Sequence, residues 1–163
     1  MRELTADIIR LLARMELRVA GAEEFVDWAK VETMAGAPGH YLGKMAEVGS
    51  LLDLPSTLSY FERALEEAGY TVPPVGEVLN AYARQLAEAI LHGAIDQFQA
   101  CGLISRIWLR LGKPESLASW GFLDDGLAAD GQAQISAAEA QSEILRQARM
   151  LVAAPPQGEP IGG

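Results

Sequence analysis

Apolar residues recur along this chain at intervals of three and four, the spacing of one face of an α-helix. Leu4, Ile8, Leu11 and Met15 show this spacing in the first segment. No stretch combines strict apolar–polar alternation with a hairpin turn, as paired strands would. We therefore predict an all-α protein: a single compact domain of six to seven helices in a mostly antiparallel bundle.

Glycines, prolines and capping residues divide this pattern into separate helices. Ser136 and Glu139 form a capping box, in which each side chain satisfies a free backbone N–H of the other residue. Gly93 either separates two helices or bends one. The predicted helices are 5–19, 22–34, 40–52, 74–92, 94–111 and 137–152, with one that starts at 53–55 and stops before Gly69, and a short one at 115–120 inside the connection 113–134.

The helical domain is predicted to cover 1–152, and the remaining 153–163 is expected to be a flexible tail. This tail is rich in proline and glycine and has few residues that could pack. The large members of the predicted core are Trp28, Phe61, Tyr82, Phe98 and Trp108.

The charge balance narrows the range of partners. The chain has 163 residues, with 13 basic against 22 acidic side chains and a formal net charge of −9. Nucleic-acid affinity comes chiefly from lysine and arginine displacing counterions, so we expect no nucleic-acid binding. Attachment to an anionic membrane is disfavoured for the same reason. A basic partner protein would be attracted.

The compartment is predicted from the single cysteine and the first residues. Cys101 has no partner within the chain for a disulfide, and its small apolar neighbours suggest a buried thiol. The start, MRELTADIIR, lacks the pattern of a signal peptide, and no apolar run is long enough to span a bilayer. We expect a cytoplasmic protein.

The sequence offers two histidines for metal or acid–base chemistry. Glu88, His92 and Asp96 are four residues apart and would form one stripe if the helix ran through Gly93. His40 lies in a glycine turn that could present a general acid or base. The simpler interpretation is a solvated helix face and an ordinary turn. The motifs of phosphate loops, zinc proteases and serine hydrolases are absent, so we expect no cofactor and regard an enzyme as less favoured.

Two sets of charged residues are candidates for binding. Arg10, Arg14 and Arg18 have like charges at helical spacing, which costs stability locally and can indicate an anionic ligand. Unpaired surface arginines are the simpler interpretation. Acidic residues are the candidates for a surface that meets a basic partner, with solvated helix faces as the alternative: Glu23, Glu24, Asp27, Glu62, Glu66 and Glu67.

The segments FVDWA at 25–29 and ILHGAID at 90–96 resemble small all-helical bacterial proteins, some of which are grouped with toxin-immunity proteins. The resemblance covers about 5–30 and 86–110 and transfers no site residue. It implies interaction rather than catalysis.

We expect a non-catalytic acidic module that binds another protein, in the manner of an immunity protein or a regulator. Two alternatives stay open. One is a helical bundle that binds a small molecule or metal, with or without enzymatic activity, using His40, His92 and the aromatic residues Trp28, Tyr82 and Trp108. The other is a homo-oligomeric structural protein whose wide apolar helix faces are covered by further copies.

Overall fold

A computed structural model describes residues 2–128 and 135–155 of the chain. The described residues form eight α-helices and two short 3-10 turns, which confirms the all-α class. They contain no β-strand, although a parallel bridge pairs Arg2 with Tyr70. The chain divides into two compact units, Met1–Pro74 and Val75–Gly163. A single domain over 1–152 therefore stays a prediction.

The first unit is built around its second helix, which packs against the third and fourth helices. Three aromatic rings form the centre of its core. The ring centroid of Phe61 lies 4.9 Å from that of Phe25 and 5.2 Å from that of Trp28. Both pairs are edge to face, which is an arrangement that aromatic rings prefer. The helices are α1 Ala6–Glu16, α2 Ala22–Met34, α3 His40–Val48 and α4 Leu54–Glu67, with a 3-10 turn at Gly49–Leu51.

The second unit is centred on its first helix, which packs against the second and fourth helices of the unit. The buried residues there include Tyr82, Ile104, Trp120 and Ile144. The third helix of the unit lies along the second. The helices are α5 Val75–Leu91, α6 Gln97–Arg110, α7 Ala118–Ala128 and α8 Ala137–Ala153, with a 3-10 turn at Glu115–Leu117.

Local signals predicted several helix ends correctly. The helix expected at 22–34 has those bounds, and Ser136 and Glu139 make the predicted capping box at the start of α8. Gly93 separates α5 from α6, because its φ of +67° is a left-handed conformation that a helix cannot contain. The predicted tail 153–163 lies mostly outside the described residues, and Ala153 still belongs to α8.

Other ends differ from the prediction for identifiable reasons. The first helix stops at Glu16 instead of 19, since Arg18 has a φ of +56°. The third stops at Val48 and continues as a 3-10 turn. The largest difference is α7, which extends to Ala128 where a short helix and a connection were expected. With this additional full helix, the described residues have eight α-helices, more than the six to seven that were predicted.

The predicted core is correct in part. Trp28, Phe61 and Tyr82 are buried, whereas Phe98 and Trp108 are only half-buried. Among the described residues, two buried aromatic side chains were missed: Phe25 in the aromatic core of the first unit and Trp120 on α7. No helix of the described residues is long and apolar enough to cross a membrane.

Gly49 is required by close packing, which gives a test of the first unit. A Cβ at this position would overlap the Val26 side chain, whereas a Cβ on Gly43 in α3 would meet nothing. We expect Gly49→Ala to lower the free energy of unfolding by about 1–3 kcal/mol through overpacking. Gly43→Ala should instead raise it by about 0.5–1 kcal/mol, the helix preference of alanine. Urea denaturation of both variants checks the pair, and equal effects would contradict the packing.

Candidate functional site

Arg14, the middle member of the predicted arginine stripe, has a structural role. Arg14 grips Glu24 with two hydrogen bonds, from Nε at 2.6 Å and from Nη2 at 3.2 Å. Arg14 also donates to the carbonyl oxygen of Val19 at 3.1 Å, and Glu24 accepts from the Gly21 backbone N–H at 2.8 Å. This clamp holds the end of α1 against the start of α2.

The other two arginines lie in different surroundings from Arg14. Arg10 lies 3.6 Å from both Asp7 and Glu24, so its charge faces carboxylates. Arg18 lies past the end of α1 in a left-handed conformation and is exposed. The predicted stripe of three like charges along one helix is therefore wrong, because the helix ends before its last member.

The proposed metal stripe is interrupted at Gly93. His92 follows the last residue of α5, and its Nδ1 lies 2.8 Å from the Glu88 carbonyl oxygen, to which it donates. Asp96 is the N-cap of α6, where its carboxylate accepts from the Gln99 N–H at 2.9 Å. All three residues are exposed, and the described residues contain no group of three or more side chains suited to a metal ion.

His40 is an exposed residue at the start of α3, beside an aromatic and ionic cluster. Its ring meets that of Tyr41 at 5.2 Å. Glu67 of α4 accepts the Tyr41 backbone N–H at 3.0 Å, and Arg63 donates to the Tyr41 hydroxyl at 2.6 Å. Glu67 thus satisfies the N-terminus of a neighbouring helix, a role that the sequence did not indicate. His40 belongs to the first unit and His92 to the second.

Cys101 is fully buried in α6, as predicted. Burial and the charge of Asp124 raise the pKa of its thiol to about 12. Since the thiolate is the nucleophile, a thiol in this environment is unreactive near neutral pH.

The outer face of α2 carries side chains that no described contact accounts for fully. Glu23 and Asp27 are exposed there, and Asp27 has only a loose pair with Lys30 at 3.9 Å. The same face then presents Val31, 64% exposed, and Met34, 88% exposed. Spacings of three and four residues place these side chains together. We use the name α2 outer face for this set of five residues: Glu23, Asp27, Lys30, Val31 and Met34.

Sequence reasoning found the acids of this face but missed Val31 and Met34. A signal was present: Phe25, Trp28 and Ala29 define the buried side of α2, and Val31 and Met34 lie on the opposite side. Of the remaining acidic candidates, Glu62 and Glu66 are exposed on α4, whereas Glu24 and Glu67 have the structural roles described above.

No family model, no curated protein and no solved structure matches this chain. The resemblance to small bacterial helical proteins of the immunity type therefore stays a prediction. The function has to be argued from the chemistry of the described residues.

The clamp predicts a pH-dependent stability. Burial acts to raise the pKa of Glu24, but hydrogen bonds from Arg14 and Gly21 and the charges of Arg14 and Arg10 outweigh it and hold the pKa below 4.5. The resulting stability is complete above pH 4.5 and is lost as pH falls through the folded-state pKa. Glu24→Gln should lower the free energy of unfolding by about 1–2 kcal/mol at pH 7 and by less below the folded-state pKa.

Urea denaturation of wild type and variant across pH 7 to 3 measures this loss. The matched control is Asp27→Asn on the same helix, which we expect to stay within about 0.5 kcal/mol of wild type because its pair is exposed. An effect of Glu24→Gln that does not shrink in acid would contradict the clamp.

Cys101 gives a second test. At pH 8 the native thiol should react with an aromatic disulfide reagent about a thousandfold more slowly than the same protein unfolded in urea, since its thiolate is scarce and covered. Absorbance of the released thiolate follows the reaction. Equal rates before and after unfolding would show that the thiol is accessible.

Proposed function

We propose that this chain is a non-catalytic protein-binding module that engages a basic, amphipathic segment of a partner through the α2 outer face. The observation that carries the proposal is the exposure of Val31 and Met34 on the same helix face as Glu23 and Asp27. Apolar anchors beside carboxylates suit a segment that alternates apolar side chains with lysine or arginine.

The apolar part of the face supplies affinity. Exposed side chains of this size gain about 1.5–3 kcal/mol each when they are fully buried. Methionine adapts its shape to varied partner surfaces, since it is unbranched and flexible. Met34 is the most exposed large apolar residue among those described, so it has the most surface to bury on binding.

The acidic part of the face supplies orientation and encounter rate. The first unit has seven basic against twelve acidic residues, so its surroundings add to the field of Glu23 and Asp27. Opposite charges across an interface speed association and select the partner's register. Glu62 and Glu66 are exposed acids on α4 and add to the negative charge of the first unit, whereas Glu24 and Glu67 are left out because they hold helix ends.

We further propose a cytoplasmic location. Its support is chemical: the one cysteine is buried as a thiol, which suits a compartment that does not rely on disulfides.

A photo-crosslinking amino acid at position 34 tests the proposed face in the native cell. The matched control is the same amino acid at position 109, because Leu109 is 54% exposed but lies between the exposed Arg106 and Arg110. We expect one crosslinked species at position 34, joined to a lysine- or arginine-rich segment as read by mass spectrometry, and none of it at position 109.

The charge contribution is tested in the same assay. The double variant Glu23→Lys with Asp27→Lys should reduce that crosslink about tenfold or more, as reversal of two interfacial charges predicts. A crosslink to a second copy of this chain, the same product at both positions, or no product at position 34 would each overturn the proposal.

A further inference from the structure

The second unit has a cavity, partly open to solvent, that neither the sequence motifs nor the proposed function uses. Its volume is about 180 Å³. Neither histidine lines it. The walls come from α5, the 3-10 turn at Glu115–Leu117, α7 and the C-terminal end of α8.

Among the described residues, Arg84 is the one charged side chain in this wall. It is half-buried, and it donates to the carbonyl oxygens of Ala154 at 2.5 Å and Val152 at 3.0 Å. These bonds close the C-terminus of α8, a position that favours a cation. A guanidinium has five N–H groups, so these two hydrogen bonds leave three N–H donors for other acceptors.

The positive charge of Arg84 has no carboxylate partner among the described residues, in a chain with 22 acidic side chains. Glu88, one helical turn further along α5, forms no ion pair with it. Helix closure accounts for two N–H groups but not for a half-buried arginine whose charge is balanced by no carboxylate in the part of the chain that the structure describes.

The rest of the wall is suited to an apolar body. Trp120 is 1% exposed and Leu117 is 2% exposed, so both are fixed by packing, and Met150 and Leu151 add further apolar surface. Asn80, Ser116 and Gln147 place neutral polar groups around it. Binding pockets commonly combine a mostly apolar lining with a few convergent polar groups.

We propose that this cavity binds a small organic carboxylate with a compact apolar or aromatic body. The carboxylate pairs with Arg84, for which guanidinium geometry is well suited, and the body lies against Met150 and Leu151, whose apolar surface is accessible in the wall. Cavities of about 150 Å³ accept a benzene-sized molecule, so the size fits a ligand of roughly nine non-hydrogen atoms. The proposal is independent of the α2 outer face, which belongs to the first unit.

Benzoate is the probe, and benzamide is its neutral control of nearly the same shape. Titrations of the full chain at constant ionic strength are followed by the NMR signals of the Trp120 indole N–H and the Arg84 Nε–H. We expect a benzoate Kd of about 0.1–1 mM. Benzamide should bind about tenfold more weakly or worse, because it lacks the charge that Arg84 recognises.

Three variants locate the site. Arg84→Gln should weaken benzoate binding tenfold or more, and Arg149→Gln, an exposed arginine of α8 outside the cavity, should leave it unchanged. Since Arg84→Gln also removes two bonds that close α8, Leu151→Trp is added. It fills the cavity and leaves Arg84 in place, so it should abolish binding while the circular dichroism stays native.

Equal affinity for benzoate and benzamide would overturn the proposal, because the charge of Arg84 would then have no role. Binding that persists in Leu151→Trp, or signal changes elsewhere than at Arg84 and Trp120, would place the ligand outside the cavity and overturn it too. Absence of any signal change up to 10 mM benzoate, well above the expected Kd of about 0.1–1 mM, would also count against it.

Discussion

Helix ends are the constraint on which this structure depends. Each α-helix leaves N–H groups at its start and carbonyl groups at its end without partners inside the helix. An all-α chain with short connections has many such ends, and this one satisfies several of them with charged side chains from other elements. Glu67 accepts a backbone N–H at the start of α3, and Arg84 donates to backbone carbonyl oxygens at the end of α8. The bonded pair Arg14–Glu24 holds the end of α1 against the start of α2.

That constraint separates what the sequence could predict from what it could not. Thr5, Asp53 and Ser136 cap helices through bonds to residues three positions away, so residue type and spacing are enough to predict them. Glu67 and Tyr41 are 26 positions apart, and Arg84 and Ala154 are 70 apart. No local pattern distinguishes such an acid or arginine from one that is solvated or binds a partner.

The same limit explains the missed helix α7. Its segment contains Gly121 and Gly126 with two aspartates between them, which locally favour a turn. A Cβ at Gly121 would overlap the Trp108 ring, so this glycine is where α7 lies directly against α6. Packing against α6 thus overrides the local preference, and it also buries Trp120, whose carbonyl oxygen lies 3.8 Å from the Cys101 sulfur.

The candidate sites follow from which charges the helix ends leave over. Glu24 and Glu67 are acidic residues of the predicted partner surface, yet their oxygens are engaged inside the fold, so charge count alone overstates that surface. Glu23 and Asp27 are exposed and lie beside Val31 and Met34, which packing of the first unit leaves uncovered. Arg84 is an intermediate case: two of its N–H groups bond to the end of a helix, and the described residues of the cavity that it lines include no carboxylate. A charge whose role in the fold is incomplete is therefore a better candidate for a binding test than a charge that merely recurs at helical spacing.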